Sequence, residues 1–555
     1  MIKPNIRVIP QGSFLDRCWQ PGIVLTALIF SIPVLTIASF LLRPSGDIWQ
    51  HLVDTVLLDY VINSALLMVG VTLGTLSIGV ICAWLTSLCQ FPGKNLFTWA
   101  LLLPLAMPAY IIAYTYTGMF DFAGPVQTQI RDWTGWGYGD YFFPEVRSLG
   151  GAMAMLSLVL YPYVYLLARA AFLEQSICVI EVSRTLGCNA WSSFYRVALP
   201  LARPAIVAGL SLALMETLAD YGTVSYFGLG VFTTGIFRTW FGLGDSVAAA
   251  KLAAILLLFV IALVAIERWS RHRAKYHHTT NRYRQLPQYR LTGFRAFAAF
   301  IGCLLPLLFG FVLPAFQLSL WAIDTYAVMV DDSFIRLTLN TLMLGFTTAI
   351  LAVFFALFLA YGKRVLASKI VFASVRVVAT GYALPGTIIA VGVIIPLAWF
   401  DNTLDAFMRD HFEISTGLLL SGTLVAVIFA YLVRFLAVSI QSVESGLGKI
   451  KFSMDEASRS LGHNPTETLF KVHLPLMKGS VLTALLIVFV DVMKELPATL
   501  ILRPFNFNTL AVRAFELASD ERLADSSTAA LMIVVVGLLP VILLSKSIAS
   551  SRAGS

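Results

Sequence analysis

Apolar runs of about 20 residues recur from one end of this 555-residue chain to the other. Each run is long enough to cross the hydrocarbon core of a bilayer as a helix. The runs do not alternate apolar with polar residues, so they predict helices and not the strands of a barrel. With 58% hydrophobic and only 13% charged residues, the sequence leaves no segment for an ordinary soluble domain. The chain is therefore predicted to be an all-α polytopic membrane protein.

The apolar runs predict about twelve transmembrane helices. The predicted spans are 23–42, 61–88, 96–118, 149–173, 203–224, 248–267, 294–318, 335–361, 370–398, 416–437, 479–500 and 526–546. The first run lies too deep for a typical signal peptide and has no convincing cleavage site after it, so it is expected to be a retained span.

Basic residues set the expected orientation of these spans. Eight Lys and Arg residues, and no Asp or Glu, lie between 268 and 295. The positive-inside rule places this linker in the cytoplasm, together with both termini and the loops 174–202 and 438–478. Such a linker is more often a topology determinant than a nucleic-acid site, and no nucleic-acid partner is expected.

The chain contains an internal repeat. Residues 181–201 read EVSRTLGCNAWSSFYRVALPL, and residues 456–476, which follow at an offset of 275, read EASRSLGHNPTETLFKVHLPL. Ten of the 21 positions are identical, where about one or two matches would arise by chance. Upstream, Asn63 and Pro108 correspond to Asn340 and Pro385 at an offset of 277. The duplication therefore extends over whole halves.

An even number of spans per half keeps the two copies in the same orientation, so the repeat is predicted to be parallel. We expect a first six-helix repeat at 1–267, a basic cytoplasmic linker at 268–295 and a second six-helix repeat at 296–555.

Each copy of the repeated segment predicts a helix, a break and a second helix on the cytoplasmic side. Gly187 and Gly462 suit a left-handed helix stop. Asn464 with Glu467 three residues later predicts a capping box. Leu-Pro at 199–200 and 474–475 is expected to end the second helix.

An apolar stripe on the second helix of each copy predicts a protein partner. In the first copy the stripe is Trp191, Phe194, Tyr195 and Ala198. The second copy keeps Leu469 and Phe470 but carries Thr466 and His473 at the flanking positions, so its stripe is expected to be weaker.

The pattern of Glu, then Gly six residues later, then Leu-Pro after twelve more, resembles the "EAA" loop of ABC importer permeases. In that family the loop is a coupling helix that sits in a groove of an ATPase subunit, and a periplasmic binding protein delivers the cargo. Two copies imply two cytoplasmic ATPase subunits. The implied coupling residues are Glu181, Arg184, Gly187, Trp191, Phe194, Leu199 and Pro200, with Glu456, Arg459, Gly462, Leu469, Phe470, Leu474 and Pro475.

The sequence contains no G-x-x-x-x-G-K-[ST] motif, so the chain is expected to be a transport subunit and not an enzyme. The resemblance places ATP and Mg²⁺ on the partner ATPase, with no cofactor on this chain. The alternative for the repeated loop is a capped helix that packs only on its own protein.

Ionisable residues inside the spans are candidates for a translocation pathway, because they are costly unless paired or hydrated. These residues are Glu216, Asp220, Asp491, Lys494 and Glu495. The pairs 216/491 and 220/495 are equivalent in the repeat, and no metal ligand is assigned among them. The alternative is a structural network in which Lys494 neutralises Asp491. Tyr221–Thr223 and Pro497 predict that the helices open near these charges.

The stretches ETLADYGTVSYFG at 216–228 and DVMKELPATLILRPFNFNTLAVR at 491–513 resemble the fused permeases of ferric iron importers, and the resemblance extends over nearly the whole chain. It implies a bacterial inner-membrane permease for Fe³⁺. Thiamine or another small solute remains an alternative cargo. A gradient-driven secondary transporter is the alternative from another class.

Overall fold

A computed structural model describes residues 14–44, 46–137, 139–174, 190–272, 289–366 and 368–550. The side chains of 14–18, 174, 190–191, 271–272 and 543–550 are outside this description. The described chain is almost entirely helical. Its one strand pair is β1 (Cys89–Gln90) and β2 (Tyr289–Arg290), which run parallel with Cys89 opposite Tyr289.

The helices follow one another along the chain with short connections. They are α1 (Phe14–Ser39), α2 (Asp47–Thr55), α3 (Leu57–Leu88), α4 (Lys94–Ala100), α5 (Ala109–Phe120), α6 (Pro125–Thr134), α7 (Leu149–Glu174), α8 (Ala190–Ser193), α9 (Leu199–Ala219), α10 (Gly222–Tyr226), α11 (Phe232–Phe237), α12 (Ser246–His272), α13 (Gly293–Leu307), α14 (Leu313–Met329), α15 (Asp332–Val365), α16 (Lys369–Val378), α17 (Gly386–Phe412), α18 (Leu424–Gly448), α19 (Phe452–Ser460), α20 (Pro465–Thr468), α21 (Leu474–Leu476), α22 (Lys478–Met493), α23 (Pro497–Leu502), α24 (Leu510–Ser519) and α25 (Leu523–Ser550). Single 3₁₀ turns lie at Phe40–Leu42, Leu103–Ala106 and Gly381–Ala383, and π turns at Phe194–Ala198, Arg238–Gly242, Leu308–Val312 and Leu469–His473.

Ten stretches of helix in the described chain are long and apolar enough to cross a membrane. Two further helix pairs meet the same criterion only together, because each is sharply bent. Lys94–Ala106 meets Ala109–Thr134 at 90°, and Pro465–Leu476 meets Lys478–Met493 at 81°. Counting each bent pair as one span gives twelve, in agreement with the all-α, twelve-span prediction.

Two predicted spans, 96–118 and 370–398, are wrong as continuous helices. The first is interrupted between Ala100 and Ala109, and the second between Val378 and Gly386. A proline lies in each interruption, at the two positions that are equivalent in the repeat. Proline disfavours the helical conformation of the residue before it, and both preceding residues are extended. The breaks therefore follow from the steric restriction that proline places on the residue before it. A hydropathy profile does not detect this restriction.

Other boundaries also differ from the prediction. The span predicted at 416–437 begins at Leu424 and continues to Gly448, and the one predicted at 294–318 extends to Met329 through a π turn. These shifts leave the order of the spans unchanged.

The structure divides into two compact units that do not coincide with the sequence halves. Unit 1 contains the described residues of 1–45, 243–254 and 332–512. In it, α1 from the start of the chain packs on α15, α16 and α17 of the second half. The Trp19 indole donates a hydrogen bond of 3.0 Å to the Phe358 carbonyl and stacks on the Phe358 ring at 5.7 Å.

Unit 2 contains the described residues of 46–242, 255–331 and 513–555. In it, α13, α14 and α25 from the second half pack on helices of the first half. Tyr116 of α5 donates a hydrogen bond of 2.6 Å to the Phe309 carbonyl, and the backbone of Gly310 approaches that of Leu158 closely. Each unit therefore includes helices from the other half of the sequence. These are α1 in unit 1, and α13, α14 and α25 in unit 2. The division of the sequence into two repeats joined by the linker at 268–295 stays a prediction, distinct from these packing units.

The repeat has a matching hydrogen-bond pattern in the two units. Asn63 of α3 donates to the Gly230 carbonyl at 3.0 Å, and its equivalent Asn340 of α15 donates to the Asn508 carbonyl at 3.4 Å. Each amide thus ties the second long helix of its repeat to the segment that follows a broken helix. This gives a physical reason for Asn at both positions.

Candidate coupling surface and charged helix breaks

The second repeated loop forms the predicted helix, break and helix. α19 ends at Ser460, and Gly462 in the break has a left-handed φ of +84°. Asn464 then caps α20, since its side chain accepts a hydrogen bond of 2.7 Å from the Glu467 N–H while the Asn464 N–H donates to the Glu467 carboxylate at 3.1 Å. The predicted capping box is confirmed.

Arg364, at the end of α15, fastens this loop to the membrane helices of unit 1. Its guanidinium donates to the carbonyls of Leu447 at 2.6 Å and Ile450 at 2.9 Å, and pairs with the Asp455 carboxylate at 2.6 Å. One turn earlier, the Tyr361 hydroxyl donates to the Pro465 carbonyl at 2.9 Å. The end of α15 therefore contacts both helices of the loop.

Asp455 lies between Arg364 and the fully buried His473, whose Nε2 is 3.2 Å from an Asp455 oxygen. Burial opposes ionisation of Asp455, but the hydrogen bonds and charges of His473 and Arg364 outweigh it and lower its pKa to about 2. The sequence pattern does not predict this cluster. Asp455 adjoins the singled-out Glu456, but nothing in the sequence indicates that Arg364 reaches it.

Replacing Asp455 with Asn is expected to destabilise unit 1 by about 2 kcal/mol at neutral pH, because a depressed carboxyl pKa is stabilisation of the folded state. That contribution is present above the unfolded pKa, near 3.8, and is lost as the pH falls towards 2. Thermal unfolding of the detergent-purified chain at several pH values measures it. A difference in unfolding free energy between wild type and variant that is as large at pH 2 as at neutral pH would contradict this account.

Side chains at equivalent positions of the two loops form one buried pair and one exposed pair. Phe194 and Leu469 are buried at 5% and 6% exposure, and Phe194 packs 4.7 Å from Trp84 between ring centroids. The next residues, Tyr195 and Phe470, are each 61% exposed. The candidate docking contacts are therefore Tyr195 and Phe470, while Phe194 and Leu469 support the helix from within.

The exposed face of the second loop also includes predicted coupling residues. Glu456, Arg459, Gly462 and Pro475 are exposed, and Leu474 is half-buried. In the first copy, Leu199 is half-buried and Pro200 is exposed. The predicted residues Glu181, Arg184 and Gly187 lie outside the described residues, as does the Trp191 side chain. The coupling role of both sets stays a prediction.

Leu-Pro does not end the second helix of the loop as expected. In the first copy the π turn Phe194–Ala198 leads directly into α9, and in the second copy the helix continues to Leu476 before the bend. In both copies the Leu N–H bonds to the carbonyl five residues earlier, at Phe194 or Leu469. Because proline lacks an N–H and would crowd an α-helical carbonyl, the wider π turn accommodates it within a helix.

Replacing both Gly187 and Gly462 with Val is expected to uncouple transport from ATP hydrolysis while the protein remains inserted. At Gly462 a side chain meets no atom within 4 Å, so the cost is backbone strain of about 1–2 kcal/mol at a left-handed φ. The control is Gly479→Val, also in open space but at a helical position. The ratio of cargo moved to ATP hydrolysed checks the prediction, and an unchanged ratio in the double variant refutes it.

The first charged break lies between α9 and α10. α9 ends at Ala219, Asp220 is extended, and α10 begins at Gly222. The Asp220 carboxylate accepts hydrogen bonds from the N–H groups of Thr223 and Val224, both at 3.1 Å, and from the Thr223 hydroxyl at 3.0 Å. Asp220 therefore caps the helix that restarts after it.

The equivalent break lies between α22 and α23, and Glu495 has the same function there. Its carboxylate accepts from the Ala498 N–H at 3.1 Å, the Thr499 N–H at 3.2 Å and the Thr499 hydroxyl at 3.0 Å. Unlike Asp220, Glu495 also pairs with a buried arginine, Arg434, at 3.2 Å. The sequence correctly predicted that both helices open at these charges.

The remaining pathway candidates are Glu216, Asp491 and Lys494, all partly exposed. Lys494 pairs with Asp491 at 2.8 Å, as the structural alternative expected. The capping bonds and this ion pair give Asp220, Glu495, Asp491 and Lys494 structural roles. A direct role for these four residues and Glu216 in translocation stays a prediction. Within the described residues, no group of three or more His, Cys, Asp or Glu could hold a metal ion.

Comparison with known proteins decides the class of this membrane protein. Residues 76–275 match the family described as "Binding-protein-dependent transport system inner membrane component". Over this segment the chain resembles the permeases of binding-protein-dependent ABC importers, and its function is that of a permease subunit. The matched segment of the permease extends from α3 to α12 and includes the first repeated loop. The match and the apolar helices indicate a multi-pass inner-membrane transport component, and the family's description implies a substrate-binding protein and ATPase subunits as partners.

The relatives of the permease differ in how much of this chain they match. It is 26% identical to an Fe(3+)-transport system permease protein, FbpB 2, of Haemophilus influenzae, over 87% of this chain and 89% of that protein. It is 25% identical to a putative ferric transport system permease protein, FbpB 1, of the same organism, over 72% of this chain and 63% of that protein. The molybdenum transport system permease protein ModB of Escherichia coli is 28% identical, over only 36% of this chain but 89% of its own length.

Proposed function

We propose that this permease moves ferric iron from a periplasmic binding protein into the cytoplasm. The observation that carries the proposal is the match to a ferric permease over nearly the full length of both chains. The molybdenum permease matches only about a third of this chain, so it resembles only part of the architecture. The long match favours ferric iron over oxyanions and over thiamine.

Two copies of a cytoplasmic ATPase drive the import, and they hold the ATP and Mg²⁺. Two observations support this arrangement. The repeated loop occurs twice in the sequence, and exposed aromatic residues, Tyr195 and Phe470, occupy equivalent positions in the two copies. An exposed aromatic side chain on a helix is a typical anchor of a protein interface.

Both termini and the basic linker lie in the cytoplasm, with lipid around the spans. The eight basic residues between 268 and 295 support this orientation. The many large apolar side chains exposed along α1, α3, α14 and α15 fit contact with lipid tails.

Uptake of radiolabelled ferric iron in cells tests the cargo. The chain is deleted and then restored as wild type or as Glu181→Ala with Glu456→Ala, and co-purification of an ATPase is assayed in parallel. We expect uptake to be lost on deletion, rescued by the wild type and not rescued by the double variant. Unchanged iron uptake after deletion, with an ATPase still bound to the restored chain, would overturn the ferric assignment and direct the search to thiamine or another solute.

A further inference from the structure

Four tyrosines surround the first charged break in unit 2. Tyr110 and Tyr114 belong to α5, Tyr221 precedes α10 and Tyr226 is its last residue; together they are called the tyrosine cluster. The Tyr114 ring lies 5.7 Å from that of Tyr110 and 4.6 Å from that of Tyr226, between centroids. Tyr114 is also within electrostatic range of the Asp220 carboxylate. Phenol rings of α5 and α10 thus pack beside the break that Asp220 caps, and Arg147 donates a hydrogen bond of 3.1 Å to the Tyr226 hydroxyl.

The hydroxyl of Tyr114 lacks a hydrogen-bond partner in the described part of the chain, although only 3% of the residue is exposed. Most buried hydroxyl groups in proteins are paired, and leaving one unpaired costs about 1–3 kcal/mol. A buried phenol oxygen without a partner indicates a position that a ligand completes.

Asp220 has no ion-pair partner among the residues that the structure describes. Its contacts are the two backbone N–H groups and the hydroxyl that cap α10. The side chain is half-buried, so its negative charge is neither fully hydrated nor neutralised by a basic side chain. A cation bound here would compensate that charge.

The second repeat provides the contrast. There the equivalent carboxylate, Glu495, is neutralised by Arg434, and both side chains are almost fully buried. None of the four tyrosines has a phenol at its equivalent position; those positions hold Thr387, Val391, Leu496 and Ile501. In the second repeat, Arg434 therefore neutralises Glu495. In the first repeat, Asp220 has no such counter-charge among the described residues and the tyrosine cluster lies near it.

The chemistry of this set suits a hard, highly charged cation. Carboxylate and phenol oxygens favour hard cations, whereas soft metals favour thiolates and imidazoles, which the cluster does not contain. A bound cation also lowers the pKa of a ligating group, so that a phenol becomes a phenolate and releases its proton to water. Fe³⁺ forms such bonds with tyrosine oxygen.

We propose that the tyrosine cluster and Asp220 form an oxygen-donor site that binds the transported Fe³⁺ ion in unit 2, with Tyr114 and Asp220 as direct ligands. The inference rests on the proposed function, because it takes Fe³⁺ as the cargo. It adds phenol oxygens to the acidic pathway candidates and assigns cargo contact to the first repeat. Glu495, with its own arginine, remains structural.

Visible absorption of the purified full-length chain in detergent tests the site, with ferric nitrilotriacetate as the probe. An iron–phenolate bond gives a charge-transfer band that aqueous ferric chelate lacks. We expect a band in the wild type, its loss in Tyr114→Phe, and at least a tenfold weaker Fe³⁺ affinity in Asp220→Asn. The control Tyr165→Phe removes another buried phenol of unit 2, one that donates to the Thr98 carbonyl, and should keep the band.

Failure of this site and failure of the proposed function give different results. No band in the wild type, or a band unchanged in both Tyr114→Phe and Asp220→Asn, overturns the site even if the cells still take up ferric iron. The substitutions keep the ring and the capping oxygen, and elution as a monodisperse species shows that each variant is folded. Absence of iron uptake by the wild type, by contrast, overturns the proposed cargo itself.

Discussion

Replacing Arg434 with Met is expected to lower the free energy of unfolding by about 3–5 kcal/mol, because it leaves a buried carboxylate without its counter-charge. The Glu495 side chain is 2% exposed and that of Arg434 is 10% exposed, so water cannot replace the lost partner. Glu495 also caps α23, so the charge cannot move away without releasing two backbone N–H groups. Thermal or denaturant unfolding of the purified permease measures the loss.

The double variant Arg434→Met with Glu495→Gln should recover at least 1 kcal/mol of the loss, since Gln keeps an accepting oxygen and carries no charge. Asp220→Asn is the matched control in the other repeat. It removes a charge from the equivalent cap, where no ion pair exists among the described residues, and Asn and Asp cap helices about equally well. A loss at Arg434→Met no larger than that at Asp220→Asn would contradict the account.

Replacing Tyr195 or Phe470 with Ala is expected to weaken ATPase binding about thirtyfold for each contact, which corresponds to about 2 kcal/mol for an aromatic interface anchor. Both side chains are largely exposed, so the stability of the permease alone should change little. Co-purification of the ATPase and transport activity both measure the effect. The double variant should lose the ATPase entirely.

Two controls separate docking from folding. Leu469→Ala truncates the buried neighbour of Phe470 and should destabilise the permease by about 2–5 kcal/mol. Phe142→Ala removes an aromatic ring that is 92% exposed in a loop assigned to the opposite side of the membrane, and should leave ATPase binding unchanged. Normal ATPase binding by the Tyr195→Ala, Phe470→Ala double variant would show that these rings are not the anchors.

The parts of the fold that depend on local chemistry could be predicted from the sequence. Apolar run length gave the spans, the repeat at an offset of 275 residues gave the two loops, and Asn464 with Glu467 gave the capping box. The breaks after Ala219 and Met493 follow from Asp and Glu residues that cap short helices. Each of these signals lies within a few neighbouring residues.

The parts that depend on distant partners could not be predicted. Hydropathy does not show which helices an apolar run contacts, so the packing of α1 on second-half helices and of α25 on first-half helices was not foreseen. Arg434 and Glu495 are separated by 61 residues, and Arg364 and Asp455 by 91. A single sequence contains no information on such pairs, whereas the burial of the four charges makes them evident in the structure.

Transport by the reconstituted system tests the central claim most directly. The permease and its ATPase are placed in proteoliposomes with internal ATP, and the binding protein is added outside with ferric iron, thiamine or molybdate. The account predicts ATP-dependent accumulation of ferric iron alone, which Glu181→Ala with Glu456→Ala abolishes. Accumulation of another cargo in place of iron, or iron accumulation driven by an ion gradient without the ATPase, would contradict it.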